Sequence, residues 1–221
     1  MFRWSSAVVA AALLCLPTLA AGQAEMASAE RVEGGVKGGV SFSDIPRFAD
    51  VLTEEASAET DYRIGAVIGG FVAFPFGGYF AVQPEVLYTQ RGLKGRIPLA
   101  DETFKLKLSY VDVPVLLRVG PSSGRGFHAF AGPSFNFNVG AQLIVGGTFN
   151  DEEDFKDEVA DLDVGLVVGA GYYGGLLILE GRYQEGLTNV NALADDESYR
   201  NRGFAALVGI RFGRSAAKPA P

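Results

Sequence analysis

His128 is the only histidine in a chain of 221 residues, and Cys15 is its only cysteine. A lipid-modifying hydrolase needs a nucleophile activated by an adjacent base, and His128 is the one imidazole available for that work. No serine with a matching orientation can be named, so His128 reads as an interior or interfacial hydrogen-bonding group. One histidine, with no cysteine after residue 15, supplies no zinc set, no disulfide and no thiol nucleophile. The remaining chemistry is ionic. Lys37, Arg63, Glu85, Asp112, Arg118, Asp163, Glu180, Arg182 and Arg211 all stand inside segments that alternate apolar and polar residues, and all are on the polar side.

Charges of both signs at such positions suit mutual neutralisation within a closed wall. Glu85, Asp112 and Glu180 are the acids expected to oppose Arg63, Arg118, Arg182 and Arg211. An unpaired charge in such a place is costly. About eight strands also leave an interior that side chains nearly fill. A salt-bridged plug is therefore expected; a small-solute channel is the alternative.

Two acidic stretches are the other charged feature. One holds Asp44, Asp50, Glu54, Glu55, Glu59 and Asp61 against Arg47; the other holds Asp151, Glu152, Glu153, Asp154, Asp157 and Glu158 against Lys156. They could take divalent cations or dock a basic extracellular partner. Their spacing is not that of an EF-hand, and solvated surface loops are the favoured reading. The run Gly34-Gly35-Val36-Lys37-Gly38-Gly39 lacks Walker spacing, so no phosphate cradle is expected there. A formal net charge of −7 argues against nucleic acid as a partner. No cofactor is implied.

The elements that must position these charges read as strands near 34–43, 61–74, 78–91, 104–119, 126–140, 161–173, 175–186 and 202–213. The gaps between them alternate long and short. A closed, antiparallel, up-and-down transmembrane β-barrel of eight strands, all-β, predicts that rhythm. Short gaps carry Pro75-Phe76-Gly77-Gly78, Pro121 to Gly126, and Gly174-Gly175, residues that favour tight turns. Alternation alone does not say which side faces out. In a soluble ligand-binding barrel the apolar side would line a dry interior. Mid-strand charges of both signs favour lipid outside, and so do the alternating gaps. Aromatics at both strand ends agree: Phe74, Phe76, Tyr79, Phe80, Phe127, Tyr172, Tyr173 and Phe212 at the short-turn end, and Phe42, Tyr62, Tyr88, Phe137, Tyr183 and Phe204 at the other.

Residues 1–22 read as a secretory signal peptide, with Arg3 before the apolar run Ala7 to Leu16 and small residues at Ala20, Ala21 and Gly22. Residues 23–33 read as a linker, 34–213 as the barrel domain, and 214–221 as a flexible periplasmic tail. An even strand number puts both termini in the periplasm.

The stretches GGVKGGVSFSD at 34–44, YFAVQPEVLYTQRGLKG at 79–95 and LSYVDVPVLLRVGP at 108–121 resemble the small bacterial outer-membrane β-barrel family called PorT-like. So do FAGPSFNFNVGA at 130–141, DLDVGLVVGAGYY at 161–173, LEGRYQEGLTNV at 179–190 and RGFAALVGIRFGR at 202–214. The resemblance implies an eight-stranded, OmpA/OmpX-like barrel in the bacterial outer membrane, with outer-membrane lipid and the barrel-assembly machinery as partners. It implies no activity. A non-enzymatic structural or surface-interaction role is expected, with a channel, or less favourably a lipid-modifying enzyme, as the alternatives. Many such barrels end on their last aromatic, whereas Phe212 here is followed by a tail.

Overall fold

The structure is a computed structural model and describes residues 32–44, 59–97, 102–121, 125–146, 151–154, 162–188 and 201–212. The signal segment, residues 23–31 of the linker, the tail and most of both acidic stretches lie outside the described residues. Among the described residues nine strands form one antiparallel sheet: β1 Glu33–Asp44, β2 Glu59–Phe76, β3 Phe80–Ile97, β4 Glu102–Val119, β5 Arg125–Gly146, β6 Asp151–Asp154, β7 Leu162–Gly174, β8 Leu177–Gly186 and β9 Arg202–Phe212. Eight of them close into a ring, because β1 pairs with both β2 and β9 and β5 pairs with both β4 and β7. The four-residue β6 pairs with the outer end of β5 alone and extends that hairpin.

The stagger of the ring can be read from its pairs. Phe137 faces Val111, which faces Tyr88, then Ile68, then Gly38. Gly38 faces Val208, then Leu179, then Tyr172, and Tyr172 faces Phe127. The circuit leaves β5 at residue 137 and returns to it at 127, ten residues lower. With a strand spacing of about 4.8 Å and a rise of about 3.3 Å per residue, that stagger tilts the strands by about 40° and gives a backbone radius of about 8 Å. Side chains fill an interior of this width.

Period-two alternation sorts the two faces. Ile68 is 64% exposed, Leu177 62% and Val208 60%, while their inward neighbours Val67, Ile178 and Leu207 are buried. On β4 the outward residues are Val111, Val113, Val115, Leu117 and Val119, and the inward ones are Tyr110, Asp112, Pro114, Leu116 and Arg118. At a 40° tilt the outward five cover roughly 20 Å of axial height, close to the apolar band of about 25 Å that a bilayer requires. Aromatic rings border it. Phe76 stacks on Phe80 at 5.8 Å and Phe127 meets Tyr172 edge-on at 5.0 Å near the short turns; Tyr183 meets Phe204 at 5.0 Å near the other end. Tyr173 departs from the expected girdle. It points inward and is fully buried, because it lies one residue out of phase with the lipid-facing Tyr172.

Glycine serves two purposes. In the turn after β2, Gly77 and Gly78 hold φ of 64° and 79°, a region that glycine enters without steric cost. On the inner wall it makes room. A Cβ on Gly169 would come within 2.4 Å of the Phe130 ring, and one on Gly171 within 2.6 Å of His128.

Candidate functional site

The interior of the barrel is the candidate site, built from alternate residues of all eight ring strands. Ten Lys, Arg, Asp and Glu side chains are buried among the described residues. Five are cationic (Lys37, Arg91, Arg118, Arg182 and Arg211) and five anionic (Glu33, Glu85, Asp112, Asp163 and Glu180). Isolating any one of them in such a medium costs several kcal/mol, on the order of the penalty for a buried ion without its partner. The presence of both signs lets most of these groups be neutralised by a buried partner. The groups fall into three layers along the axis.

Nearest the short turns, Arg118 of β4 reaches Glu33 of β1 at 3.1 Å. It also donates to Gln83 at 3.2 Å and to the Tyr173 hydroxyl at 2.7 Å. Arg211 of β9 lies 3.6 Å from the other Glu33 oxygen and donates to the Gly175 carbonyl at 2.9 Å. Both guanidiniums lie over the Tyr173 ring, at 5.2 Å and 4.0 Å from its centre, which adds cation–π attraction.

The middle layer is a four-membered lattice. The Lys37 ammonium sits 2.9 Å from Glu85 and 2.8 Å from Glu180. Arg182 bridges the same two carboxylates at 2.8 Å and 2.7 Å. Gln83 donates to Glu85 at 2.8 Å. His128 stacks on Tyr173 at 4.0 Å and brings Nε2 to 3.5 Å from Glu180. Its ring is thus held between an aromatic face and a carboxylate, deep in the wall.

Toward the long loops, Arg91 of β3 pairs with Asp112 of β4 and donates to Gln184 of β8 at 2.9 Å. Gln184 in turn donates to Asn136 at 3.0 Å. Asp163 accepts from Thr188 at 2.7 Å. Arg63 is only half-buried, at the rim, and donates to the Arg91 carbonyl at 2.8 Å. A cavity in this half, bordered by Ser41, Thr89, Arg91, Asp112, Arg182 and Gln184, measures about 30 Å³, room for one or two waters.

The structure therefore gathers eight of the nine sequence-selected charges in the interior and leaves Arg63 at the rim. The pairing differs from the expected set in three respects. Arg118 and Arg211 meet Glu33, Asp112 meets Arg91, and Lys37 joins Arg182 on Glu85 and Glu180. Glu33 and Arg91 were not among the selected residues. Glu33 precedes two glycines and reads as linker, yet it opens β1. Arg91 shares its parity with Glu85 and Thr89, which is the signal that marks it. Among the described residues no three His, Cys, Asp or Glu side chains gather as a metal set. The acidic stretches expected to hold cations lie largely outside the described residues.

A closed eight-stranded barrel with ions inside and a bare apolar band outside defines an integral outer-membrane β-barrel. The chain belongs to the family described as outer membrane protein beta-barrel domain, whose model matches residues 21–191. Among solved structures it is similar to neisserial surface protein A, with 12% identity over 82% of this chain and 97% of that one (TM-score 0.48). It is also similar to Ail, the attachment invasion locus protein of Yersinia pestis, in complex with the heparin analogue sucrose octasulfate, with 11% identity over 82% and 99% (TM-score 0.44). A third is the outer membrane protein OprG of Pseudomonas aeruginosa, with 10% identity over 82% and 96% (TM-score 0.41). No curated protein matches the chain.

Proposed function

We propose that this barrel is a non-enzymatic, plugged structural element of the outer membrane that presents its acidic loops outward, with both termini in the periplasm. The observation that carries the reading is the balanced ionic lattice across the lumen, Lys37 and Arg182 on Glu85 and Glu180, with Arg118 on Glu33 beneath it. Ion pairs that cross the lumen in this way, beside a cavity of about 30 Å³ in its outer half, support a barrel closed to hydrated solutes. His128 supports the non-enzymatic reading, since it is buried and stacked on Tyr173 rather than placed at a mouth. Export through the leader at 1–22, insertion by the barrel-assembly machinery, and an extracellular partner or divalent cations at the acidic loops belong to the same reading.

Planar-bilayer recording of the purified, heat-modifiable barrel is the test. A silent bilayer is expected. Steady unitary currents would transfer the reading to a small-solute channel.

A further inference from the structure

The outer half of the lumen holds a patch of buried polar atoms that bond to nothing. Asp112 of β4, Asn136 of β5 and Asp163 of β7 are register partners in one row, and Tyr110 and Asn138 are partners in the next inward-facing row toward the long loops. All five are more than nine-tenths buried. One Asp112 oxygen accepts from Arg91, and one Asp163 oxygen accepts from Thr188. The second oxygen of each, the Tyr110 hydroxyl and both ends of the Asn138 carboxamide have no hydrogen-bond partner. Because both Asn138 ends lack one, a flip of that amide changes nothing. Buried polar groups are normally paired, so this patch on three adjacent strands calls for a ligand.

The unbonded atoms define its chemistry. Four of them are oxygens: Asp112 Oδ1, Asp163 Oδ2, Asn138 Oδ1 and the Tyr110 hydroxyl. Asn136 stands between the two acids, but its own oxygen already accepts from Ser134 and Gln184. It can offer the acids only a neutral N–H, which leaves their charge uncancelled. The guanidinium on this patch is Arg91, and it is paired with Asp112. Arg182 below is held by Glu85 and Glu180, and Arg63 at the rim is turned to the Arg91 carbonyl. The Asp112 and Asp163 backbones are two strand spacings apart, about 10 Å. The concave wall turns their carboxylates toward one another, and the two charges repel.

We propose that Asp112 and Asp163, with Asn138 and Tyr110, hold one monovalent hard cation of the sodium class in the outer half of the lumen. Carboxylate and carbonyl oxygens suit hard cations. Calcium takes about six to eight oxygens. Four protein oxygens, with the one or two waters of the cavity that Asp112 borders, reach that number only at its lower limit. A single positive charge also balances two carboxylates against Arg91. The site goes beyond the plugged-barrel reading, which the bilayer recording tests separately.

Urea unfolding of the full-length, reconstituted barrel is measured while sodium chloride replaces N-methyl-D-glucamine chloride at constant ionic strength. At sodium ten times its dissociation constant, the unfolding equilibrium constant is expected to fall about elevenfold. Asp163→Asn loses this dependence, and Asn138→Ala, which removes a neutral ligand, weakens it. Glu152→Gln combined with Glu153→Gln, in the acidic stretch, retains it. Equal stability of the wild-type barrel in the two salts overturns the proposal, whether or not any variant folds. An undiminished sodium dependence in Asp163→Asn and Asn138→Ala overturns it too, as does stabilisation by calcium chloride but not by sodium chloride.

Discussion

The two sides of the barrel are held together differently. On one side β1 runs through eleven consecutive pairs with β2 and eleven with β9, without a break. On the other, three neighbouring strands each carry a proline, and each proline sits beside an interrupted ladder. Between β2 and β3 pairing skips from Phe71–Glu85 to Phe74–Val82, past Pro84. Between β3 and β4 it skips from Pro84–Val115 to Leu87–Asp112, past Pro114. Between β4 and β5 it skips from Pro114–Ser134 to Leu117–Ala131, past Pro133. Proline has no N–H to give a ladder, which is why it is normally kept to edges and bulges. The interior ions compensate. Glu85 of β3 is tied across the lumen to Lys37 of β1 and Arg182 of β8, and Arg118 of β4 is tied to Glu33 of β1. The comparison teaches that the interior ion lattice spans the wall where backbone hydrogen bonds are missing.

Breaking the brace has the largest expected effect. Glu85→Ala leaves Lys37 and Arg182 short of a carboxylate in a buried site, a loss of about 3–5 kcal/mol. Urea unfolding of the reconstituted barrel measures it. Amide exchange is expected to accelerate on β3, β4 and β5 before it does on β1 and β9. Equal acceleration on both sides contradicts the bracing role. A charge on the continuous side probes its solvent instead. Val208→Arg on β9 points into the apolar band and is expected to cost about 2–4 kcal/mol near the bilayer midplane. A cost near zero in the same unfolding measurement would show that this face meets water. Gly171→Ala ranks below both. Its new methyl would meet His128 and the Leu179 carbonyl, an overpacking worth roughly 1–3 kcal/mol. It should be visible as a lowered temperature for loss of the fast-migrating form in detergent gels.

Much of this architecture was legible in the chain because lipid is an unforgiving solvent. It demands an apolar residue at every second position, so the faces of all eight ring strands could be read from parity. Where the wall leaves the bilayer that demand stops. The outer end of β5, Ala141 to Gly146, and its partner β6 lack the contrast that marks a membrane strand, and the acids of 151–154 read as loop although they pair with Gln142 to Val145. The residue type of Tyr173 suggests a girdle, but its odd parity, shared with Asp163 and Val167, places it inside. The pairing of ions was not legible at all. It depends on a stagger of ten residues around the ring, and no local stretch of sequence encodes how far β8 is displaced from β3. Asp163 illustrates the point: its charge marks it for the interior, but the hydroxyl that meets it comes from Thr188, beyond the end of β8.

The smallest effect sharpens the comparison most directly. Pro114 is buried on the inner face of β4, opposite the unpaired Glu85–Val86 stretch. Pro114→Ala restores an N–H there. One more ladder hydrogen bond contributes about 1 kcal/mol, while the loss of proline's restraint on the unfolded chain removes about 0.4–1 kcal/mol. The net change in stability is therefore expected to lie near zero. Local exchange is a different quantity, because it reports the opening of one stretch and not of the whole barrel. If the missing N–H is what loosens this side, amides of Val113, Val115 and Val86 exchange more slowly in Pro114→Ala, by roughly the fivefold that 1 kcal/mol represents, with Val36 to Phe42 unchanged. Unchanged exchange at Val86 and Val115 would place the cause of the interruption in the packing of Glu85 and Leu116 within the lumen, since those side chains would then hold the two strands apart whether or not a donor is present.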